Sequence, residues 1–380
     1  MTPAARAAAA ISVLDRVLAG EPAERALTHW GRGARYAGSG DRAAVRDLVF
    51  GALRRRRSAA ALGGGDTGHG LILGLARASG LQDQWFDGSP HGPAPATGAG
   101  RAPDWAEATD LPDWLIPLMQ QALGTDFPAV AESMRDRAPV CLRVNAARGR
   151  REDAMARLAA EGIAAVPHPL AAMALEVTEG ARKVQNSAAY AEGLVELQDA
   201  ASQAVIEALP LRDGMRVLDH CAGGGGKTLA MAARSRLRLW AHDAAPRRMA
   251  DLPARAARAG VKVILTENPE KAAPYDLVLT DVPCSGSGSW RRDPEGKWAL
   301  TPERLAELTR IQADILDRVA PMVAPGGWVA YATCSFLRAE DEDQIAAFLS
   351  RTPGWRIEAE RRFSPLQGGD GFYLALLARA

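Results

Sequence analysis

Between residues 3 and 82 the apolar positions recur at helical spacing. Ile11, Val13, Leu14, Val17 and Leu18 form one group, and Val45, Leu48, Val49 and Leu53 form another. Gly63-Gly64-Gly65 interrupts the pattern. The Gly/Pro/Ala-rich stretch 87–103 predicts a surface loop. A further helical stretch runs from Trp105 to about Arg137, broken by Pro112, Pro117 and Pro128.

The pattern then changes. Val140–Val144, Ile163–Val166 and Leu194–Gln198 are short apolar runs that predict strands, with helices over 152–161 and 200–209. From Met215 strands and helices alternate. Val217-Leu218 runs into a glycine turn, Leu237–Ala241 into His242-Asp243, and Val261–Leu265 into Thr266-Glu267-Asn268. Tyr275–Thr280 and Trp328–Tyr331 follow, separated by a helix over Thr301–Met322, and Phe372–Leu377 is the last strand. Such alternation predicts a doubly wound, Rossmann-like α/β domain with a parallel sheet, an antiparallel edge being possible at the C-terminus. The expected organisation is a helical domain over 1–137, a small α/β subdomain over 138–210 and an α/β domain over 211–380.

Composition changes this picture little. The chain has 380 residues, 47% of them hydrophobic, and a net charge of +1, so no overall field announces a nucleic-acid partner. The distribution says more: residues 1–60 hold eleven Arg against five Asp or Glu, including the run Arg54-Arg55-Arg56-Arg57. That run is either a phosphate footprint or a solvated helix face. The four cysteines Cys141, Cys221, Cys284 and Cys334 are scattered without a C-x-x-C pair. The expectation is therefore reduced thiols in a cytoplasmic protein, with no metal site and no membrane segment.

Two cysteines stand at the ends of predicted strands. Cys284 lies in Asp281-Val282-Pro283-Cys284-Ser285-Gly286-Ser287-Gly288, and Cys334 in Tyr331-Ala332-Thr333-Cys334-Ser335. Open parallel sheets place their active sites at the carboxyl ends of strands. A pair of thiols there points to covalent chemistry on an electrophilic carbon. Cys141 reads as structural, and Cys221 as either structural or ligand-lining.

The glycine turn Cys221-Ala222-Gly223-Gly224-Gly225-Gly226-Lys227-Thr228 admits several readings. A P-loop would need Gly where Cys221 stands, and a dinucleotide turn lacks its last Gly in register. A purely structural turn does not need four consecutive glycines. The remaining reading is a nucleoside-and-amino-acid ligand such as S-adenosylmethionine. Glycines would let the backbone pass close to it, and Asp243 at the end of the next strand would accept both ribose hydroxyls.

Together these segments resemble the RsmB/NOP/Sun family of RNA cytosine-C5 methyltransferases. Gln198-Asp199-Ala200-Ala201-Ser202-Gln203 resembles Q-D-x-x-S-Q, and Cys221–Thr228 resembles C-A-A-P-G-G-K-T. Asp281–Gly288 is similar to D-x-P-C-S-G-x-G, Arg291–Trp298 to R-R-x-P-x-x-K-W, and Tyr331–Ser335 to Y-x-T-C-S, with Glu340-Asp341-Glu342 after it. The stretch from Asp41 to Arg57 resembles the NusB-like helical domain of some bacterial members. Gly223-Gly224 departs from the family's Ala-Pro, and Glu267-Asn268 stands where the family often carries an Asp near the adenine.

The resemblance implies methylation of cytosine C5 in RNA, most readily 16S ribosomal RNA, with S-adenosyl-L-methionine as donor and S-adenosyl-L-homocysteine as product. It assigns Cys334 as the thiolate that attacks cytosine C6 and Cys284 as the thiol that helps release the product; the residues alone do not choose between them. Asp281 would bond the base edge. Cys221, Ala222, Gly223, Gly224, Gly225, Gly226, Lys227, Asp243, Glu267, Asn268 and Asp281 would line the donor. Arg54, Arg55, Arg56, Arg57, Arg291, Arg292, Lys297 and Trp298 would contact RNA, a basic and aromatic composition suited to phosphates and stacked bases. The enzyme is expected to act as a monomer. The alternative is a non-catalytic RNA-binding or ribosome-assembly factor that keeps the fold as a platform.

Overall fold

The computed structural model describes residues 1–98 and 100–380. Its contacts divide the chain into two compact units, Met1–Arg137 with Trp290–Ala299, and Ala138–Ser289 with Leu300–Ala380. The small subdomain and the large α/β domain thus fall in one unit. The segment after Ser289 belongs to the helical one.

The helical unit is built on helices Pro3–Leu18, Ala23–Gly33, Ser39–Arg54, Arg56–Gly63 and Gly68–Ala78. Thr2 caps the first, its hydroxyl accepting from Ala5 N–H at 3.1 Å. Gly64, at φ +88°, ends the fourth in the left-handed conformation, within the glycine run that interrupts the helical pattern. The helices bury Leu14, Val45, Val49, Leu53, Leu71 and Ile72 in one core, each contributing about 2 kcal/mol relative to exposure.

The second unit holds two sheets. Strands β1 (Val140–Val144), β2 (Ala164–Pro167), β3 (Ala174–Glu179) and β4 (Val195–Leu197) form an antiparallel sheet in the order β2-β3-β1-β4. Helix Arg151–Ala160 packs on it through Ala154 and Leu158. The larger sheet contains β5 (Arg216–Asp219), β6 (Arg238–Ala241), β7 (Ile264–Leu265), β8 (Tyr275–Asp281), β9 (Val323–Thr333), β10 (Trp355–Phe363) and β11 (Phe372–Arg379). Their order is β10-β11-β9-β8-β5-β6-β7, parallel from β9 to β7 and antiparallel at the β10–β11 end.

Side chains alternate across this sheet with period two. Leu277, Leu279, Ala330 and Ala332 pack on one face against Ala201, Val205 and Met231. Val278, Val329 and Tyr331 pack on the other against Leu316, Val319 and Phe348. Both faces are covered, which is why the parallel strands read as continuous apolar runs. The expected five-residue strand over Val261–Leu265 pairs only at Ile264 and Leu265, both exposed on the sheet's edge. The chain passes from β5 to β6 on one side and returns to β8 on the other. The carboxyl ends of β5 and β8 therefore flank the topological switch point, where ligands bind in such sheets.

Candidate active site

Four segments meet at that switch point. Parallel pairing of β8 with β9 sets the two cysteine turns side by side: Asp281 lies opposite Ala332, and Val282 N–H donates to Ala332 O at 3.0 Å. Gly288 N–H then donates to Cys334 O at 2.9 Å, folding the first turn over the second. The result is a Cys284 Sγ to Cys334 Sγ distance of 3.5 Å, a thiol–thiol hydrogen bond between residues fifty apart.

The surroundings bias the two sulfurs in opposite directions. Lys227 Nζ lies 2.7 Å from Asp281 Oδ2, and its ammonium favours the thiolate of Cys334. Ser289 Oγ–H also points to Cys334 Sγ at 3.9 Å. The Cys284 thiol proton, the ammonium and the Ser289 hydroxyl hold Cys334 below the ordinary thiol value of 9.0, against the opposing pull of burial and Asp281. Cys284, half-buried, is pushed well up by its contact with Cys334, by desolvation and by the charge of Glu340. Of the two thiols, Cys334 is the one whose surroundings favour losing the proton.

Glu340 is the buried hub beneath both turns. It is fully buried and accepts from Ser285 N–H at 2.8 Å, Ser335 Oγ–H at 2.6 Å, Gln312 Nε2–H at 3.0 Å and the Ser285 hydroxyl. One carboxylate thus grips the residue after each cysteine. Motif spacing does not reveal this role. Its only signal in the chain is an acid a few residues beyond T-C-S.

The glycine turn lies between β5 and helix Gly226–Arg234. Ala222 N–H donates to His242 O at 2.9 Å, and Gly223, at φ +50°, donates to Asp243 at 2.9 Å. Gly225 sits at φ +82°, and a Cβ there would meet Leu252 Cδ1 at 2.2 Å, so only glycine fits. Asp243 also accepts from Ala245 N–H at 2.9 Å and pairs with Arg248 at 3.2 Å. Asp219, at the end of β5, bonds Thr228 Oγ1 at 2.6 Å through Oδ2, while its buried Oδ1 has no partner among the described residues. Burial pushes its carboxyl up to about 7. Cys221 Sγ contacts His220 Nδ1 at 3.6 Å, and burial raises its thiol. Glu267 and Asn268 are exposed past the end of β7. Among the described residues no cluster of His, Cys, Asp and Glu could hold a metal ion.

Comparison with known proteins fits this arrangement. Residues 206–377 match the family described as 16S rRNA methyltransferase RsmB/F, and residues 111–185 match its ferredoxin-like domain. The ribosomal RNA small subunit methyltransferase B of Klebsiella pneumoniae subsp. pneumoniae is 34% identical over 70% of this chain, and that of Salmonella arizonae is 33% identical over the same share. The chain belongs to the RsmB/F methyltransferase family. It spans 66% of the length of the curated relatives it matches. Among solved structures, PH0851 superposes with a TM-score of 0.76 over 99% of both chains at 21% identity. A methyltransferase homologue from Pyrococcus horikoshii gives 0.61 over 70% of this chain and 94% of its own at 24% identity. Those two likenesses carry the fold.

The expected basic surface needs correction. Arg54 is 8% exposed, and its Nε donates to Arg291 O at 2.7 Å. Lys297 is 3% exposed and donates to Arg54 O at 3.1 Å, and Trp298 Nε1 donates to Leu53 O at 2.7 Å. These bonds satisfy carbonyls in the last turn of helix Ser39–Arg54, which have no intrahelical partner. Burial pulls Lys297 down to about 7. Arg55, Arg56 and Arg57 pair with Asp136, Asp66 and Asp113, each at 2.7 Å. Arg291 is buried too. The arginine run and the family's R-R-x-P-x-x-K-W segment therefore lock the helical unit together instead of forming an open basic strip. Arg292 alone of the second group is well exposed. No helix among the described residues is long and apolar enough to cross a membrane.

Proposed function

We propose that this protein methylates C5 of a cytosine in 16S ribosomal RNA, in the cytoplasm and as a monomer, through a covalent adduct on Cys334. S-adenosyl-L-methionine supplies the electrophilic methyl group. The single observation that carries the reading is the 3.5 Å contact of two thiols at neighbouring strand ends, in surroundings that lower Cys334 and raise Cys284. A pair built only for packing would not need a neighbouring ammonium and a buried carboxylate under both turns.

The residues divide the chemistry as follows. Cytosine C5 is a weak nucleophile until C6 is attacked. Cys334 thiolate forms the sulfur–C6 bond, and the electron pair moves toward C5, which takes the methyl group. Asp281 accepts from the base edge and holds N3 protonated, so the ring draws electrons as C6 is attacked. The C5 proton then passes to solvent, its electron pair restores the C5–C6 double bond, the sulfur–C6 bond breaks, and Cys334 leaves as a thiolate that the Cys284 S–H assists by hydrogen bonding. Asp243, Asp219 and the turn Cys221–Lys227 would hold the donor. The unpartnered Asp219 Oδ1 supports that placement. A cytosine stacked in a duplex hides C6, so the target is single-stranded or opened on binding. The helical unit, NusB-like in this reading, would extend the RNA contact.

The test is methyl transfer from labelled donor to 16S rRNA from cells that lack this enzyme, followed by chemical mapping of the modified base. Label at one cytosine C5 is expected. Absence of donor binding at millimolar concentration would favour the platform alternative. A second measurement probes the thiolate. The transfer rate should rise with pH through one ionisation below 9.0, because the attacking form is deprotonated. Lys227→Met removes the favouring cation and leaves Asp281 unpaired, and both changes raise the thiol. The midpoint should move up. An unmoved midpoint in a folded variant would mean that Lys227 does not act on Cys334.

A further inference from the structure

The donor turn carries Gly223-Gly224 where the family carries Ala-Pro. A Gly-Gly pair loses more conformational freedom on ordering than Ala-Pro does, so this turn starts with a handicap. Two arginines from outside hold its carbonyls. Arg143 on β1 donates to Gly226 O at 2.7 Å and to Gln198. Arg255, on helix Leu252–Ala259, donates from Nη1 to Gly224 O, a carbonyl of the Gly-Gly pair itself.

Arg255 is not a loose surface side chain. Its Nη2 donates to Glu196 at 2.9 Å. Glu196 lies on β4, is 3% exposed, and its other oxygen accepts from Arg258. If Arg255 swung away, a buried carboxylate would lose one of its two cationic partners. The fork geometry of the guanidinium is what lets one residue reach both a carboxylate and a backbone carbonyl. The peptide is planar, so pinning Gly224 O also sets the direction of Gly225 N–H. That N–H donates to Ala222 O at 2.8 Å and closes the turn. A Cβ at residue 224 would lie 3.1 Å from Arg255 Nη1, so the guanidinium sits directly against the turn.

We propose that Arg255, buttressed by Glu196, is a positioning residue for the methyl donor: it supplies from outside the turn the stiffness that Ala-Pro supplies within it elsewhere in the family. The proposal rests on the reading that Cys221–Lys227 carries the donor. Nothing in the sequence pattern marks Arg255, because both of its partners lie in other segments.

The test is calorimetric titration of the full chain with S-adenosyl-L-homocysteine for the wild type, Arg255→Met, Arg255→Lys, Glu196→Gln and Asp243→Asn. Arg255→Met should weaken binding about tenfold, as expected for a lost hydrogen bond from a charged donor. Arg255→Lys keeps the charge but has one nitrogen, so it should bind like Arg255→Met. Glu196→Gln should weaken binding by a smaller factor and serves as the second variant if Arg255→Met folds poorly. Amide exchange at 221–227 should quicken in the Arg255 variants. The KM for donor should rise, with kcat at saturating donor and the KM for RNA within about twofold of wild type. If Arg255→Met binds as the wild type does while Asp243→Asn loses affinity, the positioning role is overturned and the donor site stands. If neither variant changes binding, the donor site itself is misplaced and the proposal falls with it. Wild-type binding by Arg255→Lys alone would also overturn the proposal, because charge rather than the fork would then suffice.

Discussion

Cys334→Ala should abolish methyl transfer, by on the order of 10⁴-fold or more, the scale seen when a covalent nucleophile is removed. Cys284→Ala should do something different: the protein should accumulate bound to RNA as a band that survives denaturing electrophoresis. The distinction follows from the unequal pair. The 3.5 Å contact lowers Cys334 and raises Cys284, so in the proposed mechanism Cys334 is the attacking sulfur and Cys284 stays protonated beside it for release. Removing Cys284 has a second consequence that can be read separately. Its thiol proton is the largest influence lowering Cys334, so the remaining thiol should titrate at higher pH. Adduct in Cys284→Ala should therefore form faster at pH 9 than at pH 7, and rate against pH on the gel measures it. Adduct in Cys334→Ala and none in Cys284→Ala would reverse the two roles.

Much of this site is legible in the amino-acid sequence. D-x-P-C and T-C-S are short motifs at the ends of apolar runs, and parallel pairing of β8 with β9 makes their proximity a matter of register. The sheet is legible for a related reason: strands buried on both faces leave unbroken apolar runs. β10 is not, because Trp355–Phe363 is rich in Arg and Glu and mostly exposed at the sheet edge, so it carries no such run. The basic residues mislead on physical grounds. Charge along the chain shows an excess of arginine near the N-terminus, yet the carboxylates that neutralise it, Asp66, Asp113 and Asp136, come later in sequence. Likewise Lys297 and Trp298 look like a nucleic-acid strip until their hydrogen atoms are traced to carbonyls at the end of helix Ser39–Arg54. Sequence shows which residues carry chemistry, but what neutralises them is a property of the fold.

Glu340→Ala should lower kcat by about 10²-fold or more without touching either sulfur, the scale of a displacement near 1 Å in a reacting group. Glu340 lies outside the reacting atoms and acts through what it holds. Its carboxylate receives the Ser285 amide and the hydroxyls of Ser285 and Ser335, and each of these residues follows a cysteine. Gln312 braces it from helix Pro302–Val319 while donating also to Pro283 O at 2.9 Å, one residue before Cys284. Alanine would leave these buried donors without an acceptor, at about 1–3 kcal/mol for each that cannot re-pair. The turns would relax away from each other to find water or backbone. Glu340→Gln keeps one carbonyl oxygen and should retain part of the rate. The discriminating measurement is the pH profile of alkylation at Cys334. If Glu340 fixes the sulfur pair, its loss separates the thiols and the Cys334 midpoint rises, as in Cys284→Ala. If Glu340 merely stabilises the fold, the unfolding temperature falls while that midpoint and kcat stay near wild type, and the positioning role is refuted.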